Sequence, residues 1–75
     1  MTYRKRIVID PKIMVGKPVI AGTRIPVDLI LEKLAQNVDV GALLRDYPRL
    51  TKQDVQAVLQ YARDLIVNED VYPTA

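Results

Sequence analysis

The sequence predicts a mostly α fold, three helices arranged as a helix-turn-helix unit behind a short N-terminal β arm or hairpin, on three observations. Apolar residues recur at spacings of three and four in separate runs after Pro26, and cap residues and prolines punctuate those runs. Before Pro26 the chain is β-branched and broken by glycine and proline, as short strands and turns require. The 75 residues are expected to make a single domain: an arm over 1–25, the helical unit over 26–67 and an acidic tail over 68–75.

The arm begins with Tyr3 to Ile9, which alternates basic and apolar side chains before closing on Ile7, Val8 and Ile9. The turn pair Asp10 and Pro11 ends this strand, and its flanking Arg and Lys suit an edge. In GKPVIAGTRIPV, residues 16–27, Gly16 supplies a positive φ, Val19 and Ile20 make a short strand, and Ala21 and Gly22 make a tight bend before Thr23, Arg24 and Ile25. A small hairpin or hooked pair of strands is expected there, with Thr23 bonded to the local backbone. Pro26 disfavours the α region at Ile25 and suits the first turn of a helix, so it converts strand into helix.

The first helix, Val27 to Gln36, places Val27, Ile30, Leu31 and Leu34 on one face and Asp28, Glu32, Lys33 and Gln36 on the other, with Asn37 closing it in the left-handed conformation. Asp39 then caps a short helix that turns Val40, Leu43, Leu44 and Tyr47 inward before Pro48 ends it. The third start is the best marked. Thr51 and Asp54 have capping-box spacing, with Leu50 and Val55 at the positions of a hydrophobic staple. The run from Lys52 to about Val67 directs Val55, Val58, Leu59, Ala62, Leu65 and Ile66 inward and Gln53, Gln56, Gln60, Arg63 and Asp64 outward.

Composition bounds the function. There is no Ser, Cys or His, so the usual nucleophile and base partnerships cannot be assembled, and an enzyme, a metal site and a cofactor are not expected. Asp28 and Glu32 share a helical face, but a solvated face explains them better than a carboxylate pair. With neither a membrane span nor a signal peptide legible, a cytoplasmic protein is expected. The net charge of +2 conceals a gradient: in residues 1–24 six bases stand against Asp10 alone, and the last twelve residues hold Asp64, Glu69 and Asp70 with no base. Two short strands are marginal in water, and one core of this size supplies about 3–5 kcal/mol, so a homodimer is expected through an arm comprising Ile7, Val8, Ile9, Val19, Ile20 and Arg24. For Arg24 three roles are open, a clamp on an acid of the fold, a phosphate ligand or a contact to an acidic partner, and the clamp is favoured.

A short helix, a proline-containing turn and a longer capped helix, preceded by another helix, outline a DNA-reading unit. Lys52, Gln53 and Gln56 would then lie nearest base edges, with Gln60 and Arg63 towards the backbone and Arg45 and Arg49 on phosphates. Gln, Lys and Arg are also good exposed helix formers, and the residues alone leave the two readings level.

The run IDPKIMVGKPVIAGTRIPVDLILEKLAQ followed by LLRDYPRLTKQDVQAVLQYA resembles the prokaryotic domain-of-unknown-function family four hundred and thirty-three. The resemblance spans Ile7 to about Ala62 and rests on Gly16, Lys17, Pro18, Gly22, Thr23, Arg24, Pro26, Tyr47, Pro48, Leu50 and Thr51 in combination. It implies a homeodomain-like helix-turn-helix and a VapB-type antitoxin of a type II toxin–antitoxin pair. The partners it implies are a PIN-like ribonuclease toxin encoded alongside, neutralised by direct binding, and operator DNA through which the operon regulates itself. Such ribonucleases gather carboxylates around a metal, which a basic arm or the tail would cover; the tail is expected to assist. Two positions depart from the family pattern: Asn37 stands where glycine is common, and Gly41 where the second helix more often has an acid. The alternative is a protein-interaction and dimerisation module that never touches DNA.

Overall fold

A computed structural model describes residues 5–68. In chain order these form β1 (Ile7–Val8), a tight turn at Met14–Gly16, β2 (Val19–Ile20), α1 (Val27–Ala35), α2 (Val40–Asp46) and α3 (Lys52–Asn68). The expected mostly helical layout with a small antiparallel hairpin is what the chain adopts. Arg4 and the tail beyond Asn68 lie outside the described residues.

β1 pairs with β2 so that Ile7 faces Ile20 and Val8 faces Val19, and the Ala21 N–H donates to the Arg6 carbonyl at 2.8 Å. The expected strand stops one residue short of Ile9, which is 59% exposed. The Asp10 turn diverts the chain: the Asp10 carboxylate accepts from the Lys12 N–H at 2.9 Å and its carbonyl from the Ile13 N–H at 2.8 Å. On the other edge of β2, the Ile20 N–H donates to the Ile25 carbonyl at 3.0 Å and Val19 bridges Pro26. The expected pairing of Thr23 to Ile25 shrinks to this contact because Pro26 has no N–H to extend a ladder. β2 is thus the middle of three extended segments, which is why Val19 and Ile20 are buried. Gly22, at φ +76°, closes the bend beneath a 3.0 Å bond from the Thr23 N–H to the Ile20 carbonyl. Thr23 serves the local backbone as expected: its hydroxyl donates to the Ile20 carbonyl and accepts from the Ile25 N–H.

The helix boundaries follow the caps. Pro26 stands at the N-cap of α1 rather than inside its first turn, and Asn37, at φ +70°, closes that helix. The Asp39 carboxylate accepts from the Ala42 N–H at 2.8 Å to start α2. At α3 the capping box is complete: the Thr51 N–H donates to Asp54 Oδ2 at 3.0 Å, and the Asp54 N–H to Thr51 Oγ1 at 3.1 Å. α1 and α2 both pack on α3, around a core of Ile7, Ile20, Val27, Ile30, Leu43, Leu50, Val55, Ala57 and Val58.

The inward face of α3 differs from the expected one in its second half. Val55 and Val58 are buried and Ala57 joins them, whereas Leu59, Leu65 and Ile66 are 50%, 44% and 60% exposed. The cause is the direction of the packed face. Asp54, Ala57 and Val58 are buried and Tyr61 packs on the core, which turns Leu59 and Ile66 away from it, while Leu65 lines an open groove with Val27 and Leu31 of α1. No described helix is long and apolar enough to cross a membrane.

Candidate nucleic-acid interface

The surface around the start of α3 gathers most of the polar residues singled out from the sequence. Lys52, Gln53 and Gln56 are exposed on its first turns, while Asp54, Val55, Ala57 and Val58 anchor the opposite face in the core. The helix therefore presents a polar edge from a fixed base. Arg45, exposed in the last turn of α2, folds back so that its Nη1 lies 3.6 Å from where a Cβ on Gly41 would stand. Arg49, exposed in the turn before α3, lies across Gly22, with Nη2 3.9 Å from that residue's Cβ position.

Gln60 and Arg63 belong to a different arrangement. The Gln60 amide donates to Asp64 Oδ1 at 3.0 Å, and Arg63 Nη1 reaches the same oxygen at 3.3 Å. Their donors are thus turned along the helix towards a carboxylate, and an acid partly neutralises that stretch. Of the arm residues, Ile7, Val19 and Ile20 are spent on the chain's own core, leaving Val8 half-buried and Ile9 exposed.

The favoured role for Arg24 is not the one it plays. Arg24 is exposed and makes no ion pair among the described residues. The clamp on an acid of the fold comes instead from Arg6, whose Nη1 lies 3.0 Å from Asp54 Oδ1, with the Asp54 side chain only 9% exposed. Asp54 thereby does two jobs, returning the capping-box bond and tying the β arm to the first turn of α3. The capping acid was legible from local spacing; its partner lies 48 residues away and left no local signal. Geometry explains the swap. Arg6 precedes β1 and is carried over α3 by the hairpin, whereas Arg24 follows the Gly22 bend and faces a shallow cleft with Ile13, Gly22, Thr23 and Arg49. A second, more apolar groove of about 290 Å³ runs beside Pro18, Val27, Leu31, Tyr61 and Leu65, with the exposed Lys17–Asp28 ion pair, 3.6 Å, at its rim.

Among the described residues there is no group of three or more His, Cys, Asp or Glu side chains placed to hold a metal ion. The model of a family described as "Protein of unknown function (DUF433)" matches residues 7–62. The chain belongs to the DUF433 family. A crystal structure of a DUF433 member from Anabaena variabilis is similar to this chain with a TM-score of 0.76 and 32% identity, over 88% of this chain and 68% of that one. An uncharacterised protein of Archaeoglobus fulgidus is 75% identical over 24 residues, which are 32% of this chain and 67% of that relative. The DUF433 span includes Arg24, Arg45, Arg49, Lys52, Gln53, Gln56 and Gln60 and stops before Arg63 and the exposed apolar end of α3 at Leu65, Ile66 and Val67.

Proposed function

We propose that α2, the turn and α3 form a homeodomain-like helix-turn-helix that reads DNA, and that this DUF433 chain is the DNA-binding antitoxin of a type II toxin–antitoxin pair. The observation that carries the DNA reading is the split of α3's first half: Lys52, Gln53 and Gln56 stand free on one side while Asp54, Val55, Ala57 and Val58 are locked on the other. A reading helix needs that combination of rigid base and unpaired polar edge. Gln53 and Gln56 pair with adenine, Lys52 with guanine or phosphate, and Arg45 and Arg49 hold the flanking backbone. The antitoxin role, with its PIN-like ribonuclease partner and autoregulated operator, rests on the family resemblance of residues 7–62.

In a two-fold dimer each contact occurs twice, so the operator is a palindrome with half-sites about 10 base pairs apart, or a multiple of that. Fluorescence anisotropy on a fragment of the chain's own promoter tests the reading. Gln53→Ala and Gln56→Ala each cost about 1–3 kcal/mol per lost bidentate contact and relax preference at one base pair per half-site. If both leave affinity and sequence preference intact while Arg4→Ala with Lys5→Ala abolishes binding, the basic arm is the DNA contact instead.

The alternative, an interaction module that masks a toxin without touching DNA, draws on the exposed Leu59, Leu65, Ile66 and Val67. Failure of the wild-type chain to bind promoter DNA at moderate salt, with retained co-purification of the neighbouring gene product, selects it.

A further inference from the structure

Arg24 and Arg49 reach one cleft from different parts of the fold. Arg24 stands at the end of the bend after β2, and Arg49 in the turn between α2 and α3. The cleft, about 400 Å³, is lined by these two with Ile13, Gly22 and Thr23, and no carboxylate is among them. Neither guanidinium is within ion-pair distance of an acid among the described residues. The Thr23 hydroxyl is already engaged, donating to the Ile20 carbonyl at 2.7 Å and accepting from the Ile25 N–H at 3.0 Å. The charged side chains that the cleft offers a ligand are therefore two guanidinium forks, which donate and do not accept. The Gly22 bend, at φ +76°, underlies the convergence, with Arg49 lying across it.

We propose that the Arg24–Arg49 cleft is a phosphodiester site that grips one backbone phosphate beside the reading end of α3. The two non-bridging oxygens of a phosphodiester give each fork an acceptor; a carboxylate also has two oxygens, so it is the position of the cleft that selects the phosphate. Position agrees with chemistry, because Arg49 stands three residues before Lys52, the first residue of α3. The β arm thus contributes directly to DNA binding. The identity of the phosphate as DNA's rests on the helix-turn-helix reading; the anion preference of the cleft does not.

The test uses the full chain, a generic duplex, and the variants Arg24→Ala, Arg24→Lys, Arg49→Ala and the double alanine. Each phosphate neutralised adds about 0.9 to the slope of log affinity against log salt, so the double alanine shrinks the affinity loss between about 50 and 200 mM salt by about 3.5-fold and Arg24→Ala by a part of that, because Arg49 still reaches the same phosphate. Arg24→Lys keeps the charge and most of that slope. The double alanine loses less than the two singles combined, since both arginines serve one phosphate. Unchanged affinity and slope in Arg24→Ala, with a reduced slope in Arg49→Ala, overturns the site and leaves the helix-turn-helix reading intact. If the wild-type chain binds no duplex at either salt, that reading fails, and pyrophosphate titrated against the arginine Nε–H NMR signals decides the cleft. Saturable shifts at Arg24 and Arg49, lost in Arg24→Ala, support it. Their absence, or shifts with an oligoglutamate peptide and none with pyrophosphate, overturns it.

Discussion

Removing the Arg6 side chain is the sharpest probe of how this fold holds its reading helix. Asp54 accepts two bonds, from Arg6 on Oδ1 at 3.0 Å and from the Thr51 N–H on Oδ2 at 3.0 Å. The two partners differ in burial: the Arg6 side chain is 39% exposed and that of Asp54 only 9%. Arg6→Ala leaves one oxygen of a nearly buried carboxylate without a donor, while Asp54→Ala leaves an arginine that can turn to water. A hydrogen bond to a charged group contributes about 1.5–3 kcal/mol; because solvent reaches Arg6, about 1–2 kcal/mol is expected for Arg6→Ala. Asp54→Ala also loses the return bond of the capping box, for a total of about 2–3 kcal/mol. Against the ~3–5 kcal/mol available to a domain of this size, either loss is large.

Urea unfolding followed by far-UV circular dichroism measures this, and with a slope near 1 kcal/mol/M the Arg6→Ala midpoint should fall by about 1–2 M. The double variant should cost no more than Asp54→Ala alone, because the second substitution removes a partner already lost. Thr51→Ala should cost about 1 kcal/mol and leave the Arg6 coupling in place. An unchanged midpoint for Arg6→Ala, or additive losses in the double variant, would refute the clamp and with it the docking of the β arm on α3.

Other substitutions test single features. Gly22→Ala forces a side chain to φ +76°, and since its Cβ meets nothing closer than Arg49 Nη2 at 3.9 Å, the backbone alone should cost about 1–2 kcal/mol in chemical denaturation. Val15 is a β-branched residue at φ +57° and is 95% exposed, so Val15→Gly should raise the urea midpoint by an amount equivalent to about 1 kcal/mol; a fall would show that its side chain has a contact in solution. Leu59→Gln and Ile66→Gln should each change stability by less than about 0.5 kcal/mol, whereas Val58→Ala, at a site with no exposure, should cost about 2 kcal/mol. A large loss at Leu59 or Ile66 would mean that the end of α3 is covered, by a second copy if the loss depends on protein concentration.

What the sequence determined by itself was everything set by neighbours along the chain. The Asp39 cap, the Thr51–Asp54 box, the Asn37 closure, the Thr23 turn and the starts of all three helices are local chemistry, decided within a few residues, and each stands in the fold. The faces of α1 and α2 were legible for the same reason, since the residues expected on the apolar face of each short helix are buried in the core or packed against it. The tertiary structure alone decided three things. Periodicity turns Leu59, Leu65 and Ile66 to the side that continues from Val55 and Val58, but the face that packs is centred on Asp54, Ala57, Val58 and Tyr61, a direction set by what lies opposite and recorded by no pattern within α3. Identical guanidinium groups at Arg6 and Arg24 were indistinguishable as sequence; the hairpin register carries one over Asp54, and the Gly22 bend turns the other to Arg49. The arm's apolar residues, expected from the sequence to pair with a second copy, are taken up within the chain by the antiparallel pairing of β1 with β2, which leaves Ile7, Val19 and Ile20 buried. Bonds between near neighbours close with little loss of chain entropy and so are written in local spacing, while contacts across 48 residues exist only once the whole core has brought them together.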